Sequence, residues 1–430
     1  MSFRIIQSYF QHRFRRFHTR ETLERYQEKR IQKLLNHVLP LSPHTRKRFQ
    51  NLSPVQWREI PLMNKKEFMQ YFSSLNTADI SYEEALSKAK FAEQDRTFRA
   101  QIDDVTIGMS SGTSGILGLF LVRVQEQEKW VGQILARALP ENLLWPVQDR
   151  IAFFLRANSA MYERTASKRI AFHYFDLLVD LEKHLPQLQA LQPTLLVAPP
   201  SLLRQLAQKQ KEGGVHLSPK RVISVAEPLE PIDERLFRKI FQAPVHQIYQ
   251  ATEGFLGSTC AYGTMHLNED MLIFEKEWLD EKHFVPIITD LNRITQPIIR
   301  YRLDDVLRIR PTPCSCSSVH LAIDAIEGRC DDILILQTSK GERPIFADFW
   351  RRSILMSHPD IIDYGLRQCT KQKFELYIDA PHPKVWEAAK QALEKFIHDQ
   401  NGDKVAIVPV DTWPTGGFRK KKRIERIAHS

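Results

Sequence analysis

The sequence predicts an α/β protein with a large domain over residues 1–330 and a small α+β domain over residues 331–430. Its 430 residues correspond to roughly two or three domains at about 150 residues each. Between residues 100 and 310, short apolar segments alternate with amphipathic ones, which is typical of a domain with helices and mixed or largely parallel sheets. After residue 331, apolar segments accompany a long amphipathic one, as in a small α+β domain.

The first 60 residues are predicted to be helical. Large apolar residues recur at helical spacing near the N-terminus, with arginines between them: Phe3, Ile6, Phe10, Phe14 and Phe17. We favour a helix packed on its own domain, with its arginines in solvent, over a helix lying on a membrane surface. A second amphipathic stretch ends near Pro40 and Pro43, because a residue that precedes proline resists the helical conformation.

The other elements are predicted from the length of each apolar segment and the spacing within each amphipathic one. In the large domain we expect buried strands over Ile151–Leu155, Leu195–Ala198, Val222–Val225 and Val245–Tyr249. The helices expected there are Gln125–Ala138, Leu202–Lys211 and Glu230–Gln242. In the small domain we expect strands over Ile333–Gln337, Phe374–Ile378 and Val405–Val408, and a helix over Pro383–Asp399.

The composition excludes several classes of protein. Hydrophobic residues make up 43% and charged residues 26%, as in ordinary globular proteins, so a disordered chain is excluded. No apolar run approaches the roughly 18 residues of a membrane span, and arginines interrupt the apolar residues at the N-terminus, so no signal peptide is expected. Five cysteines, an odd number, are too few for a disulfide scaffold and favour the reducing cytoplasm.

Positive charge is concentrated at the two ends of the chain. The net charge is +10; residues 1–50 carry +9 (12 basic, 3 acidic) and residues 411–430 carry +4 (6 basic, 2 acidic), which leaves −3 for the middle. This distribution indicates two electropositive surfaces. Because the chain lacks an aromatic–basic RNA motif, nucleic acid is not expected as a partner. The oligomeric state stays open.

A run of small hydroxyl residues and glycines follows a strand-like segment and consists of Ser110, Ser111, Gly112, Thr113, Ser114 and Gly115. Such residues let backbone amides approach a phosphate closely, while the hydroxyls donate to its oxygens. The run is not a Walker loop, since no Gly-Lys-Ser/Thr follows at the required spacing. By itself it is either a phosphate loop or a plain turn.

Five more residues have side chains suited to a nucleotide. The adjacent hydroxyl and carboxylate of Thr252 and Glu253 could hold Mg²⁺, which prefers oxygen ligands. Asp305 could accept hydrogen bonds from ribose hydroxyls, and Arg302 and Arg329 could bind phosphate oxygens. The alternative for the arginines and aspartates is ion pairing at the surface.

Three thiols and an imidazole could form a metal site. Cys260 precedes His266 by six residues, and Cys314 precedes Cys316 by two. Three thiolates and one imidazole make a closed tetrahedral zinc site. From spacing alone, buried structural thiols are the alternative.

Taken together and in this order, these strings resemble the adenylate-forming superfamily, in particular its branch of phenylacetate–CoA ligases and deazaflavin-coenzyme adenylyltransferases. The likeness spans roughly residues 25–425. Besides residues 110–115, it rests on the strings Ile60–Lys65, Ala226-Glu227-Pro228, Tyr249-Gln-Ala-Thr-Glu253, Pro297–Asp305 and Gly328-Arg-Cys-Asp331-Asp332.

The resemblance implies an enzyme that joins a small carboxylic acid, an aromatic one above all, to ATP with the help of Mg²⁺. Pyrophosphate leaves, and the acyl group passes from acyl-AMP to the thiol of coenzyme A or of a carrier protein's phosphopantetheine arm. It implies that Ala226, Glu227, Pro228 and Tyr249 contact the nucleotide. Two alternatives remain: an adenylyltransferase that forms a stable adduct on a hydroxyl, and a binding protein whose nucleotide site has decayed.

Further residue roles are implied by the same resemblance. A lysine of the mobile small domain bridges carboxylate and α-phosphate oxygens; Lys420 fits the pattern best, and Lys421 and Lys422 are alternatives. Asp331 falls at the hinge on which the small domain turns.

The resemblance also suggests a substrate pocket and a metal. The aromatic run His173, Tyr174 and Phe175 lies where relatives line the acyl pocket. Several relatives carry a structural zinc at the places of the three cysteines and the histidine described above.

The chain departs from the family pattern in four places. Residues 116–118 lack the usual proline and basic residue, Gln250 replaces a glycine, and Leu303-Asp304 replaces Thr-Gly. Residues 337–342 replace a glycine–asparagine stretch that relatives turn toward the thiol substrate. The last difference makes the recognition of coenzyme A less secure than adenylation.

Overall fold

The structure is a computed structural model that describes all residues except 95–99, 110–117, 145–146, 156–165, 168, 178, 330–332, 346, 414–422 and 428–430, and it leaves out the side chains of residues 93–94, 329 and 347–348 as well. The chain divides into two compact units. The first comprises residues 1–303 and 309–324, and the second comprises residues 304–308 and 325–430. The division after residue 324 lies close to the predicted division after residue 330.

Most of the helices lie in the first unit, where they flank its sheets. They are α1 (Phe3–Phe14), α2 (Arg20–Val38), α3 (Pro43–Phe49), a 3₁₀ helix (Pro54–Glu59), α4 (Lys65–Gln70), α5 (Phe72–Leu75), α6 (Tyr82–Gln94), α7 (Val124–Ala138), α8 (Leu181–Leu191), α9 (Pro200–Lys211) and α10 (Pro231–Phe241). The second unit contains α11 (Ala347–Leu355) and α12 (Lys384–Asp399).

The strands are distributed over both units. They are β1 (Gln101–Ile102), β2 (Val105–Met109), β3 (Leu119–Arg123), β4 (Asp149–Leu155), β5 (Ile170–Asp176), β6 (Leu195–Ala198), β7 (Arg221–Ser224), β8 (Val245–Ala251), β9 (Gly254–Thr259), β10 (Met265–Leu267), β11 (Leu272–Trp278), β12 (His283–Asp290), β13 (Tyr301–Arg302), β14 (Asp305–Ile309), β15 (Ala322–Arg329), β16 (Leu334–Thr338), β17 (Gly341–Ile345), β18 (Asp363–Thr370), β19 (Lys373–Asp379), β20 (Ala406–Pro409) and β21 (Ile424–Arg426).

Strands β5, β4, β6, β7 and β8 pair in that order and are all parallel. Every residue of β6 is buried, as expected for a strand covered on both faces by helices. From β8 onward the pairing becomes antiparallel, through β9 and β10 to β15. The α/β class with mixed sheets is therefore confirmed. The carboxyl ends of β6, β7 and β8 lie at one edge, where open α/β sheets bind ligands.

The N-terminal helix α1 packs on α7, as the favoured interpretation predicted. Ile5 and Tyr9 are fully buried there. The apolar residues on which that prediction rested are largely exposed, among them Phe3, Ile6 and Phe14, and two of the arginines expected in solvent, Arg13 and Arg15, are half-buried. The Ser8 hydroxyl donates to the Lys129 carbonyl at 2.7 Å. The ring of His12 contacts the buried carboxylate of Asp270 at 2.8 Å. Burial alone would raise the pKa of Asp270, but Arg137 and His12 hold it below its ordinary value.

Within the described part of the chain, no helix combines the length and the apolar character that crossing a bilayer requires.

Gly132 of α7 allows α1 to lie close against α7. A Cβ there would lie 2.5 Å from the Ile5 carbonyl oxygen and 2.6 Å from the Ser8 Cβ. Alanine usually stabilises a helix interior by about 1 kcal/mol relative to glycine. Here the clash with backbone outweighs that gain, so Gly132→Ala is expected to lower the free energy of unfolding by about 1–3 kcal/mol.

Chemical denaturation measures the effect of Gly132→Ala. Gly214→Ala is the matched control, because a Cβ at that position would lie 3.5 Å from its nearest neighbour, the Lys209 carbonyl. Equal stability of the two variants would contradict the packing of α1 on Gly132.

The second unit has its own hydrophobic core. A four-stranded sheet in the order β20-β19-β18-β21 packs with α11 and α12 around Trp350, Leu366, Leu376 and Leu393. Immediately before β21, the buried guanidinium of Arg423 donates to Asp363 of β18 at 2.8 Å. Arg423 therefore anchors the chain immediately after residues 414–422.

Candidate active site and metal cluster

Thr252 and Glu253 form the two-residue turn between β8 and β9, at the carboxyl edge of the parallel sheet. Both side chains are half-buried. The ladder between β8 and β9 shifts register at Tyr249 and Gln250. A bulge of this kind re-aims the residues that follow it, and bulges are frequent next to active sites.

Two neutral hydroxyl groups hold the Glu253 carboxylate. Thr252 Oγ1 donates to Glu253 Oε2 at 2.8 Å, and the Tyr301 hydroxyl donates to Glu253 Oε1 at 3.1 Å. Tyr301 itself is buried, with its ring edge against Phe68. Each carboxylate oxygen can accept more than one bond, so both keep the capacity to bind a cation.

Arg293 is buried beneath the Thr252–Glu253 turn and supports it. This buried arginine donates from Nη1 to the Thr252 carbonyl oxygen at 2.6 Å. Asp290, the last residue of β12, accepts the backbone amide of Arg293 at 3.2 Å. Burial raises the pKa of Asp290 to about 6, against the opposing effect of Arg293. Neither residue is among those predicted from the sequence, although the polar residues at the end of β12 were a possible signal.

The predicted nucleotide turn Ala226-Glu227-Pro228 follows β7 at the same edge of the sheet. Ala226 has a φ of +67°, a left-handed conformation that costs a non-glycine residue roughly 1–2 kcal/mol. The Glu227 carboxylate accepts both the amide and the hydroxyl of Ser201, at 3.1 and 3.0 Å. Glu227 therefore caps the start of α9, and the exposed Ala226 and Pro228 are the positions open to a ligand.

The other residues that were predicted to bind the nucleotide lie in different parts of the structure. Tyr249 is buried in β8. Arg302 forms a two-fold ion pair with Glu277 of β11, at 2.9 and 2.7 Å, as the ion-pair alternative expects, and its phosphate role stays a prediction. Bonding to Arg302 lowers the pKa of Glu277 below its ordinary value. Asp305 begins β14, and it belongs to the second unit.

The predicted acyl-pocket residues lie on β5, whose successive side chains point to opposite faces. Phe175 is 1% exposed and stacks on Phe154 at 4.7 Å within the core under α8, so it does not line a pocket. Tyr174, on the opposite face, donates to the Leu155 carbonyl at 2.9 Å. Tyr174 is half-buried and stays a candidate for the pocket, whereas His173, also half-buried, lies on the same face of β5 as Phe175.

Several predicted residues fall outside the described part of the chain. These are Ser110, Ser111, Gly112, Thr113, Ser114, Gly115, Asp331, Lys420, Lys421 and Lys422, together with the side chain of Arg329.

The three cysteines and the histidine converge at one point of the first unit. Their ligand atoms all lie within 4.8 Å of one another. The sulfurs of Cys260 and Cys314 are 3.7 Å apart, and the Cys316 sulfur is 3.3 Å from His266 Nε2. Tetrahedral zinc with Zn–S bonds of about 2.3 Å places two sulfurs about 3.8 Å apart, so these spacings fit zinc.

Neighbouring backbone groups orient two of the four ligands. His266 Nδ1 lies 3.0 Å from the His320 carbonyl, a bond that directs Nε2 toward the sulfurs. The Cys316 amide donates to the Cys314 sulfur at 3.5 Å. The cluster joins the β9–β10 hairpin to the segment before β15, and four protein ligands would leave a bound metal no open position.

Comparisons with known proteins agree with this architecture. No protein-family model matches the chain. The indoleacetate–lysine synthetase of Pseudomonas savastanoi is 25% identical over 139 residues, which are 30% of this chain and 33% of that protein. The match thus covers only about a third of the length of that curated relative.

Solved structures match much more of the chain. A 2-hydroxyisobutyryl-CoA ligase in complex with R3-HIB-AMP superposes with a TM-score of 0.70 at 13% identity, covering 94% of this chain and 89% of that one. The GH3.15 acyl acid amido synthetase gives 0.59 at 13% identity, with 91% and 86% covered. The anthranilate CoA ligase AuaEII with anthranoyl-AMP gives 0.51 at 11% identity, with 74% and 66% covered. The chain has the fold of adenylate-forming enzymes, as its motifs predicted.

Proposed function

We propose that this protein uses ATP and Mg²⁺ to convert a small carboxylic acid, most naturally an aromatic one, to its acyl-AMP, and then transfers the acyl group to a nucleophile. The observation that carries the proposal is the Thr252–Glu253 turn. It places an oriented carboxylate and hydroxyl at the ligand-binding edge of a sheet. The fold is shared with enzymes solved with acyl-AMP bound.

Each proposed step assigns a task to residues of this chain. In the first step a substrate carboxylate oxygen attacks the α-phosphorus of ATP, and the bond to pyrophosphate breaks. Both reactants are anions, so positive charge must lie close to them. Glu253 and Thr252 would hold Mg²⁺, which when bound shields the phosphate charges. Lys420 is proposed to bridge the carboxylate and α-phosphate oxygens.

In the second step the acceptor attacks the acyl carbon, and AMP leaves. The acceptor we propose is the thiol of coenzyme A or of a carrier-protein phosphopantetheine arm. A specific observation favours a second candidate, an amine acceptor that yields an amide: the curated relative is named for joining indoleacetate to lysine, and this chain departs from the thiol-side pattern at residues 337–342.

We also propose a purely structural zinc at Cys260, His266, Cys314 and Cys316.

Exchange of labelled pyrophosphate into ATP, measured across a panel of aryl and short aliphatic acids, tests the proposal. Exchange that depends on one acid supports adenylation and excludes a hydroxyl-directed adenylyltransferase. We expect Lys420→Ala to abolish it, with Lys421→Ala and Lys422→Ala as matched controls that retain it. Folded protein that exchanges with no acid would overturn the proposal.

Once an acid is known, the acceptor follows from AMP release. The reaction is supplied in turn with coenzyme A, a phosphopantetheinylated carrier protein or free lysine. The acceptor that accelerates AMP release and appears in the product decides between a thioester and an amide.

A further inference from the structure

A small cavity of about 120 Å³ lies between α1, α2, α7 and the loop after β12, within the first unit. Its buried floor is polar and consists of Ser8, His12 and Gln133. Its walls and mouth carry the cations Arg15, Arg30 and Lys129, with Arg4 at the rim. At about 30 Å³ for each water molecule, the cavity holds about four waters or one group of phosphate size with water beside it.

The cavity has an excess of positive charge. None of the described side chains that line it is a carboxylate. The acids in the neighbourhood have other partners. Glu126 accepts the amides of Ile294 and Thr295, and Asp270 contacts His12 and Arg137. At the rim, Glu128 lies 3.7 Å from Arg4.

The surroundings of two of the cations favour the binding of an anion. Arg30 donates from Nη2 to the Leu291 carbonyl and to Asn292 Oδ1, but its buried Nε has no hydrogen-bond partner within the described structure. Partial burial and the nearby charges of Arg30, Arg4 and Lys33 lower the pKa of Lys129. A buried donor without a protein acceptor needs either a water or an anion beside it, and cations that repel one another favour the anion.

On the floor of the cavity, Gln133 is the residue with a hydrogen-bond donor to offer, because Ser8 already donates to the Lys129 carbonyl. His12 Nδ1 faces Asp270 at 2.8 Å, so the neutral ring carries its proton there and its Nε2 accepts from the Gln133 amide at 3.4 Å. The Gln133 amide group has a second N–H available. Burial lowers the pKa of His12, which agrees with a neutral ring.

We propose that this cavity is a second anion site, separate from the adenylation site, which binds a phosphate-sized oxyanion either free or as the end group of a phosphate monoester. None of its lining residues belongs to the proposed adenylation residues. One link connects the two places: Asn292 of the cavity adjoins Arg293, which holds the Thr252 carbonyl.

Isothermal titration with inorganic phosphate at low, constant ionic strength tests the site. The wild type is expected to bind one phosphate per chain. Lys129→Gln and Arg30→Gln are each expected to weaken binding about tenfold or more, the usual value of a hydrogen bond to a charged group. Lys129 lies at the mouth of the cavity, partly buried against its lining but with much of its surface in solvent, so replacing it should disturb packing little and keeps the test valid if Arg30→Gln fails to fold. Arg25→Gln is the matched control. Arg25 is exposed on α2, the helix that carries Arg30, and it is paired with Glu21, so this variant should bind phosphate as the wild type does.

Glycerol 3-phosphate, titrated in parallel, identifies the source of the anion. Tighter binding of the ester supports a phosphorylated metabolite, and tighter binding of the free ion supports phosphate itself. Unchanged affinity in both cavity variants, or no saturable binding by the wild type, would overturn the proposal. Because the readout is binding and not turnover, its failure is distinct from a failure of the proposed adenylation.

Discussion

Replacing Glu253 by glutamine is expected to lower acid-dependent pyrophosphate exchange by about two to three orders of magnitude, the usual loss when one preorganised electrostatic contact is removed. The amide keeps the size of the side chain and can still accept a bond from Thr252 or Tyr301, whose hydroxyls lie 2.8 and 3.1 Å from the carboxylate. It has no charge with which to hold Mg²⁺ against the phosphates of ATP. The measurement is exchange at saturating acid over a series of Mg²⁺ concentrations.

Two controls separate the charge of Glu253 from its surroundings. Tyr301→Phe removes one hydrogen bond to the carboxylate, about 1 kcal/mol, and should reduce exchange only several-fold. Glu277→Gln alters another half-buried carboxylate of the same unit, paired with Arg302, and should leave exchange close to that of the wild type. Near-normal exchange in folded Glu253→Gln would show that the proposed Mg²⁺ position is wrong.

The parallel half of the sheet could be predicted because its strands are continuous apolar segments. The segment Leu195–Ala198 matches β6 at both ends, and Val245–Tyr249 lies within β8. The antiparallel strands that follow β8 carry weaker signals. β9 contains two glycines, and β10 is only three residues long. Their pairing depends on partners distant in sequence, which no local pattern reveals.

The same physical limit applies to the candidate site. The string that contains Thr252 and Glu253 is contiguous, so it could be recognised. The contacts that support them could not be predicted. Tyr301 stands in a recognised string but lies 48 residues from Glu253, and Arg293 lies 41 residues from Thr252. For Phe175 the aromatic run was visible, but only the pairing of β5 shows which of its faces the core covers. The metal cluster differs, because three cysteines and a histidine are distinctive zinc ligands that can be recognised although they lie far apart in sequence.

Loss of that cluster is expected to have the largest effect on stability. The wild type should contain one zinc per chain, and Cys316→Ser should lose it, because the serine hydroxyl does not replace the thiolate ligand. The free energy of unfolding should fall by at least about 3 kcal/mol, a fraction of the roughly 10–16 kcal/mol that structural zinc supplies in a zinc-finger peptide. Without the metal, the β9–β10 hairpin and the segment before β15 are held mainly by strand pairing and by the bond of His266 to the His320 carbonyl.

Metal analysis and denaturation with and without a chelator measure this effect, and Cys369→Ser is the matched control. Cys369 is also a half-buried free thiol, but it lies in β18 of the second unit, so its variant should keep both zinc and stability. Because a four-ligand site leaves the metal no open position, Cys316→Ser molecules that remain folded should still exchange pyrophosphate at low temperature. Full zinc content in Cys316→Ser would show that its sulfur is not a ligand. Zinc-free wild-type protein of undiminished stability would contradict a structural metal and make the cluster a set of packed thiols.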